Sequence, residues 1–116
     1  MKKIVTTLCT VAALALVANA AFAASAIRVS QAYGGGGSSA GTYARDYVEL
    51  FNSSASPVDI SGWALEYGSA TGNWGSSAGN IFTFPAGTIM QPCSYLLIEA
   101  GASGTGGGPL PVTADF

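Results

Sequence analysis

The side chains that usually carry chemistry are scarce in this chain. It has no histidine, which removes the Ser/His and Cys/His pairs that activate a nucleophile. Lys2 and Lys3 are its only lysines, and both lie in an N-terminal leader. Asp46, Glu49 and Glu66 remain as acid–base candidates. Asp46 and Glu49 stand three apart in a stretch that reads as a strand, so they point to opposite faces and flank no common substrate without a bulge. Calcium could be sought at Asp46, Asp59 or Asp115 with loop carbonyls, but nothing has EF-hand spacing, and scattered acids read more simply as a solvated face. Cys93 is the one cysteine beyond the leader. It allows no intramolecular disulfide and, without His, no zinc site. It reads as a small filler in the turn Gln91–Ser94, or else as an intermolecular bridge. Gly34–Gly37 invites a phosphate-loop reading, yet no Gly-Lys-Ser/Thr ending and no helix follow it. Its plainer reading is a long flexible loop. Asn52-Ser53-Ser54 matches a glycosylation sequon by chance. The expectation is a segment without catalysis, metal or cofactor.

The elements that would position these residues are strands. Asp46–Phe51 alternates as a strand, Asn52–Pro57 is a polar turn, Val58–Ile60 is short and extended, and Trp63–Tyr67 is a second strand after a Ser-Gly corner. Trp63 shares a face with Leu65 and Tyr67 by the period of two, and is expected to seed the core. Val48, Leu50 and Asn52 share one face, and Val48 and Leu50 should point inward, because Glu49 on the other face is costly to bury unpaired. Ile27–Tyr33 reads as the first strand. Ile81–Phe84 places Phe82 and Phe84 together, Thr88–Met90 is short, and Tyr95–Glu99 is the most apolar strand, with Leu97 at its centre. The expected core is Val48, Leu50, Trp63, Leu65, Phe82, Phe84 and Leu97. Gly68–Asn80 is a Gly/Ser-rich excursion carrying Trp74, which either folds back as a lid or is displayed as a contact residue. Ala100–Gly108 is a further glycine-rich loop.

The order ELFN, polar turn, PVDISGW and alternating strand resembles the lamin-tail domain family. IRVSQAYGGGG at Ile27–Gly37 and FTFPAGTIMQPCSYLLIEAGASG further on extend the likeness over Ile27 to Pro111. The resemblance implies an immunoglobulin-like β-sandwich of the secreted bacterial branch, serving interactions with proteins, nucleic acid or cell-surface material and having no activity of its own. Such a sandwich takes about seven strands in roughly 100 residues. Five or six candidates can be counted here, so the domain is expected to be incomplete, the N-terminal part of a longer protein. The sheet bordering the missing strands should then expose an unpaired apolar edge, favouring a dimer or poor solubility.

Met1-Lys2-Lys3, the apolar Ile4–Val17 and Ala21-Phe22-Ala23 form the n-region, h-region and cleavage site of a helical signal peptide. The apolar run falls short of the ~20 residues a membrane span needs. The leader is therefore read as residues 1–23, with cleavage after Ala23 favoured over a second small–x–small site at Ala18-Asn19-Ala20. Residues 24–116 are expected to form one exported domain, secreted, periplasmic or at the cell surface. Beyond the leader the cations are Arg28 and Arg45 alone, against six Asp and Glu. That balance disfavours direct contact with nucleic acid, which needs cationic phosphate contacts. The leading expectation is an exported, non-catalytic binding or structural module contacting a protein or cell-surface ligand through Tyr43, Arg45 and Trp74. The alternative, resting on family association, is an accessory domain of a secreted bacterial nuclease or phosphoesterase whose catalytic part lies downstream. Carbohydrate stacking on Tyr33, Tyr43 and Trp74 is a third.

Overall fold

A computed structural model describes residues 25–101 and 104–116; the expected leader, residues 1–23, lies outside them. The described chain is all-β. Its strands are β1 (Ile27–Tyr33), β2 (Asp46–Asn52), β3 (Val58–Asp59), β4 (Ala64–Glu66), β5 (Ile81–Thr83), β6 (Ile89–Met90) and β7 (Tyr95–Ala100), with one 3₁₀ turn at Ala78–Asn80. An antiparallel sheet of order β1-β2-β7 faces two short antiparallel ribbons, β3-β6 and β4-β5.

The register decides which side chains face the core. Leu50 lies opposite Leu96 and Val48 opposite Ile98, so even-numbered residues of β2 and β7 point inward together. Leu50, Leu96 and Ile98 meet Ile60, Phe84 and Met90 from the ribbons, with Ile27, Val48, Val58, Leu65 and Phe82 packed around them. The odd-numbered residues form the outer face, in rows Tyr33–Tyr47–Glu99, Gln31–Glu49–Leu97 and Arg28–Phe51–Tyr95. A register shift between Val29 and Gln31 marks a bulge at Ser30, whose hydroxyl bonds the Glu49 carboxylate.

Two core expectations need correction. Trp63 is 47% exposed and does not seed the core, whereas Ile60, three residues earlier, is wholly buried. The chain turns sharply between them: Trp63 N–H donates to the Ile60 carbonyl at 3.0 Å, and Gly62 adopts φ +75°. The three-residue β4 is too short to carry a layer over the ring that this turn sets at its mouth. Leu97 is half-buried on the outer face with Tyr95 and Glu99, because the register commits Leu96 and Ile98 to the interior.

Asn52 is the polar centre of the fold. It is fully buried, and its side-chain amide donates to the carbonyls of Ser56 (2.9 Å), Met90 (3.0 Å) and Gln91 (3.1 Å). Its Oδ1 accepts the N–H and hydroxyl of Ser54. A side chain so enclosed offers no glycosylation site in the folded protein.

The glycine-rich segments are not slack. Gly104 N–H donates to Ala44 O, Gly106 N–H to Gly37 O and Gly108 N–H to Thr42 O, while Ala44 N–H donates back to Gly108 O. A β-carbon on Gly104 would lie inside the backbone of Gly37. The glycines are therefore needed for close approach of two loops, a use that composition alone does not distinguish from flexibility.

The C-terminal phrase pairs with the outer edge of β7. Asp115 N–H donates to Leu97 O (2.9 Å), Glu99 N–H to Phe116 O (2.8 Å) and Leu97 N–H to the Asp115 carboxylate (2.8 Å). Phe116 packs its ring on Phe82 and Phe84 at 5.5 and 5.8 Å. The other edge strand of this three-stranded sheet is β1, where Val29 faces inward yet is 58% exposed.

Candidate interaction surface

Tyr43 and Arg45 belong to the loop that leads into β2, and neither side chain is free. The rings of Tyr33 and Tyr47 stack at 5.5 Å, and Tyr43 meets them edge-on at 5.4 and 5.9 Å. The Tyr33 hydroxyl accepts the backbone N–H of Thr42 at 2.9 Å, and Tyr47 donates to Gln31 at 3.1 Å. This cluster pins the glycine loop to the outer face of the sheet. Its signal in the sequence was Tyr47, which the hairpin register sets directly opposite Tyr33.

Arg45 bridges to β7. Its Nε lies 2.7 Å from the Glu99 carboxylate, and a guanidinium N–H donates to Gly101 O at 3.0 Å. Both side chains of the pair remain over a third exposed, so its stability contribution is at most about 1 kcal/mol. The pair floors an open cleft of about 310 Å³ walled by Ala44 and Gly107–Leu110.

Trp74 stands elsewhere, on the loop joining β4 to β5, and is 71% exposed; it is displayed and is not a lid. Gly75 N–H donates to Tyr67 O at 3.1 Å, and Tyr67 N–H to Asn80 O at 2.8 Å, closing the loop on its own base. The indole lies against Gly68, where a β-carbon would come within 3.1 Å of its ring. Tyr67, 62% exposed, stands at the same tip. The structure thus brings Tyr43 and Arg45 to one sheet and puts Trp74 on the ribbon, next to a tyrosine read only as a strand residue.

The carboxylates do not converge. Asp46 accepts Gly36 N–H at 2.7 Å, Asp59 accepts Ser61 N–H at 2.9 Å, and Asp115 accepts Leu97 N–H. Each secures a local backbone turn or edge. Hydrogen bonds from the Ser61 hydroxyl, then from its backbone N–H, hold the Asp59 carboxyl below the ordinary carboxylate range, outweighing slight desolvation. Among the described residues, no three His, Cys, Asp or Glu gather closely enough for a metal. Cys93 carries a free, exposed thiol at φ +55° in the turn between β6 and β7.

Against this geometry, the sequence matches the family model of the Lamin Tail Domain over residues 20–115. The chain belongs to the lamin tail domain family. Searches of curated proteins and of solved structures return no match. Membership accords with the all-β fold, since the lamin tail domain is an immunoglobulin-like module of a non-catalytic family. In this lamin tail domain, Trp74 and Tyr67 are large aromatics exposed on the β4–β5 side of the fold.

Proposed function

We propose that this lamin tail domain is an exported, non-catalytic binding or structural module that contacts a protein or cell-surface ligand. Its contact residues are Trp74 on the β4–β5 loop, and Tyr43 and Arg45 on the loop leading into β2. The observation that carries the reading is the display of Trp74, 71% exposed on a loop closed by its own backbone hydrogen bonds. A large aromatic exposed to water is a favourable contact anchor, and a loop already closed by its own backbone hydrogen bonds has less entropy to lose on binding. Export is supported by the n-region, h-region and Ala-Phe-Ala order of residues 1–23. Self-association, if it accompanies binding, would use the edge strand β1.

The test is fractionation of cells producing the full chain. The reading expects a protein beginning at Ala24 outside the cytoplasm, held on surface material and released by Trp74→Ala. An unprocessed cytoplasmic chain, or surface retention indifferent to that substitution, would count against it.

A further inference from the structure

We infer that the tip of the β4–β5 ribbon, formed by Tyr67 and Trp74 with Glu66 at its side, is a docking platform for a neutral polysaccharide. This names the ligand class of the interaction module proposed above and rests on that reading. Tyr67 and Trp74 are 62% and 71% exposed. The Trp74 ring rests on the Gly68 backbone, which a β-carbon would crowd at 3.1 Å. Its support is thus main chain, and the remaining ring surface is open to stacking. Gly75, at φ +57°, sits against the Glu66 carboxylate and Ile81, so an acceptor for hydroxyl groups stands beside the aromatic surface.

The rest of the loop is uncharged: Ser69, Thr71, Asn73, Ser76 and Ser77 supply hydroxyls and an amide. Aromatic faces that stack on the C–H surface of a sugar ring, with hydroxyl, amide and carboxylate partners around them, match a neutral glycan. A polyanion is disfavoured because the two cations beyond the leader lie on the other sheet, Arg28 in β1 and Arg45 paired to Glu99 beside β2. A cationic ligand would need the rings to close around it as a cage, whereas the Trp74 ring lies against the backbone of Gly68 and pairs with no other aromatic ring among the described residues.

The test uses the protein after leader removal, in a Trp63→Phe background so that Trp74 alone reports. It is titrated with soluble neutral glucan, mannan and chitin oligosaccharides, with heparin and polylysine as charged probes. At least one neutral oligosaccharide is expected to shift the indole emission to the blue and saturate. In pull-down on the matching insoluble polysaccharide, Trp74→Ala should abolish binding, Tyr67→Ala should weaken it at least ten-fold and Glu66→Gln should weaken it less, all with unchanged circular dichroism. Binding that survives both aromatic substitutions, a response to heparin or polylysine alone, or no response to any neutral glycan would overturn the proposal. If the glycans fail while cell-surface retention still depends on Trp74, the glycan assignment falls and the module reading stands. If that retention is also absent, both fall.

Discussion

The side-chain amide of Asn52 and the carbonyl of Met90 lie 3.0 Å apart in the interior, tying the three-stranded sheet to the β3–β6 ribbon. This bond sets the distance between the layers at the end of β2, where the loops return. Replacing Asn52 by Ala takes a donor from the buried Met90 carbonyl and the part-buried carbonyls of Ser56 and Gln91, at a cost of about 1–3 kcal/mol for each group left unsatisfied. Urea unfolding of Asn52→Ala is expected to give a loss of roughly 2–4 kcal/mol, large enough to unfold a marginal domain. A loss under about 0.5 kcal/mol, the range of an ordinary surface change, would contradict the role assigned to this residue.

The interlocked loops give a comparison within a single glycine run. Gly37, at φ +71°, abuts the Gly104 backbone, whereas Gly34 faces open space. Gly37→Ala combines strain at positive φ with a backbone collision, so it should cost at least about 1–3 kcal/mol. Gly34→Ala should fall within about 0.5 kcal/mol of the parent. Melting temperatures of the two variants decide the matter, and equal values would argue for a slack loop.

Acid titration bears on Asp59. Its carboxyl is held below its ordinary value by Ser61, hydroxyl first and then backbone N–H. A depressed folded-state pKa stabilises the fold above the unfolded value, about 3.9, and that contribution disappears as the pH falls through the folded value. The melting temperature of the parent should therefore exceed that of Asp59→Ala at pH 6, and the two should converge below about pH 4. Because the group is exposed, the gap is expected to be small; a gap that widened in acid would contradict the sign.

The position of the core can be read from two truncations three residues apart. Ile60 is wholly buried and Trp63 is 47% exposed. Ile60→Ala should cost about 2–5 kcal/mol, the usual range for a buried Ile, and Trp63→Ala less despite removing a larger side chain. The reverse order in chemical denaturation would restore Trp63 to the centre of the fold.

Much of the fold was legible in the residues. Alternation and turn chemistry located the extended segments, because Val, Ile, Leu and aromatic runs broken by Asn, Ser, Pro and Gly have few other readings. These segments counted as only five or six strands, since the two-residue β3 and β6 are too short to show an alternation. The inward face of Val48 and Leu50 also followed from period two, whereas the burial of Asn52, read as the start of a polar turn, did not. What alternation could not give was the depth of a face: Trp63 and Leu65 share a side, yet β4 ends before a layer can cover the larger ring. Leu97 fell to the opposite failing, since an apolar triplet does not reveal which of its members the register turns inward. Nor could composition tell a glycine that loosens a loop from one that lets Gly37 and Gly104 touch. For the candidate surface, Trp74 stood out as an aromatic in a polar loop, whereas Tyr67 was concealed as a strand residue until the loop closed beside it.

The most direct test of the interaction-module account is the equilibrium binding of the purified domain to the surface material of its producing cells, comparing the parent with Tyr43→Ala/Arg45→Ala/Trp74→Ala. The account expects saturable binding by the parent and at least a ten-fold weaker affinity in the triple variant, with both proteins folded by circular dichroism. Equal affinities in two folded proteins would contradict it.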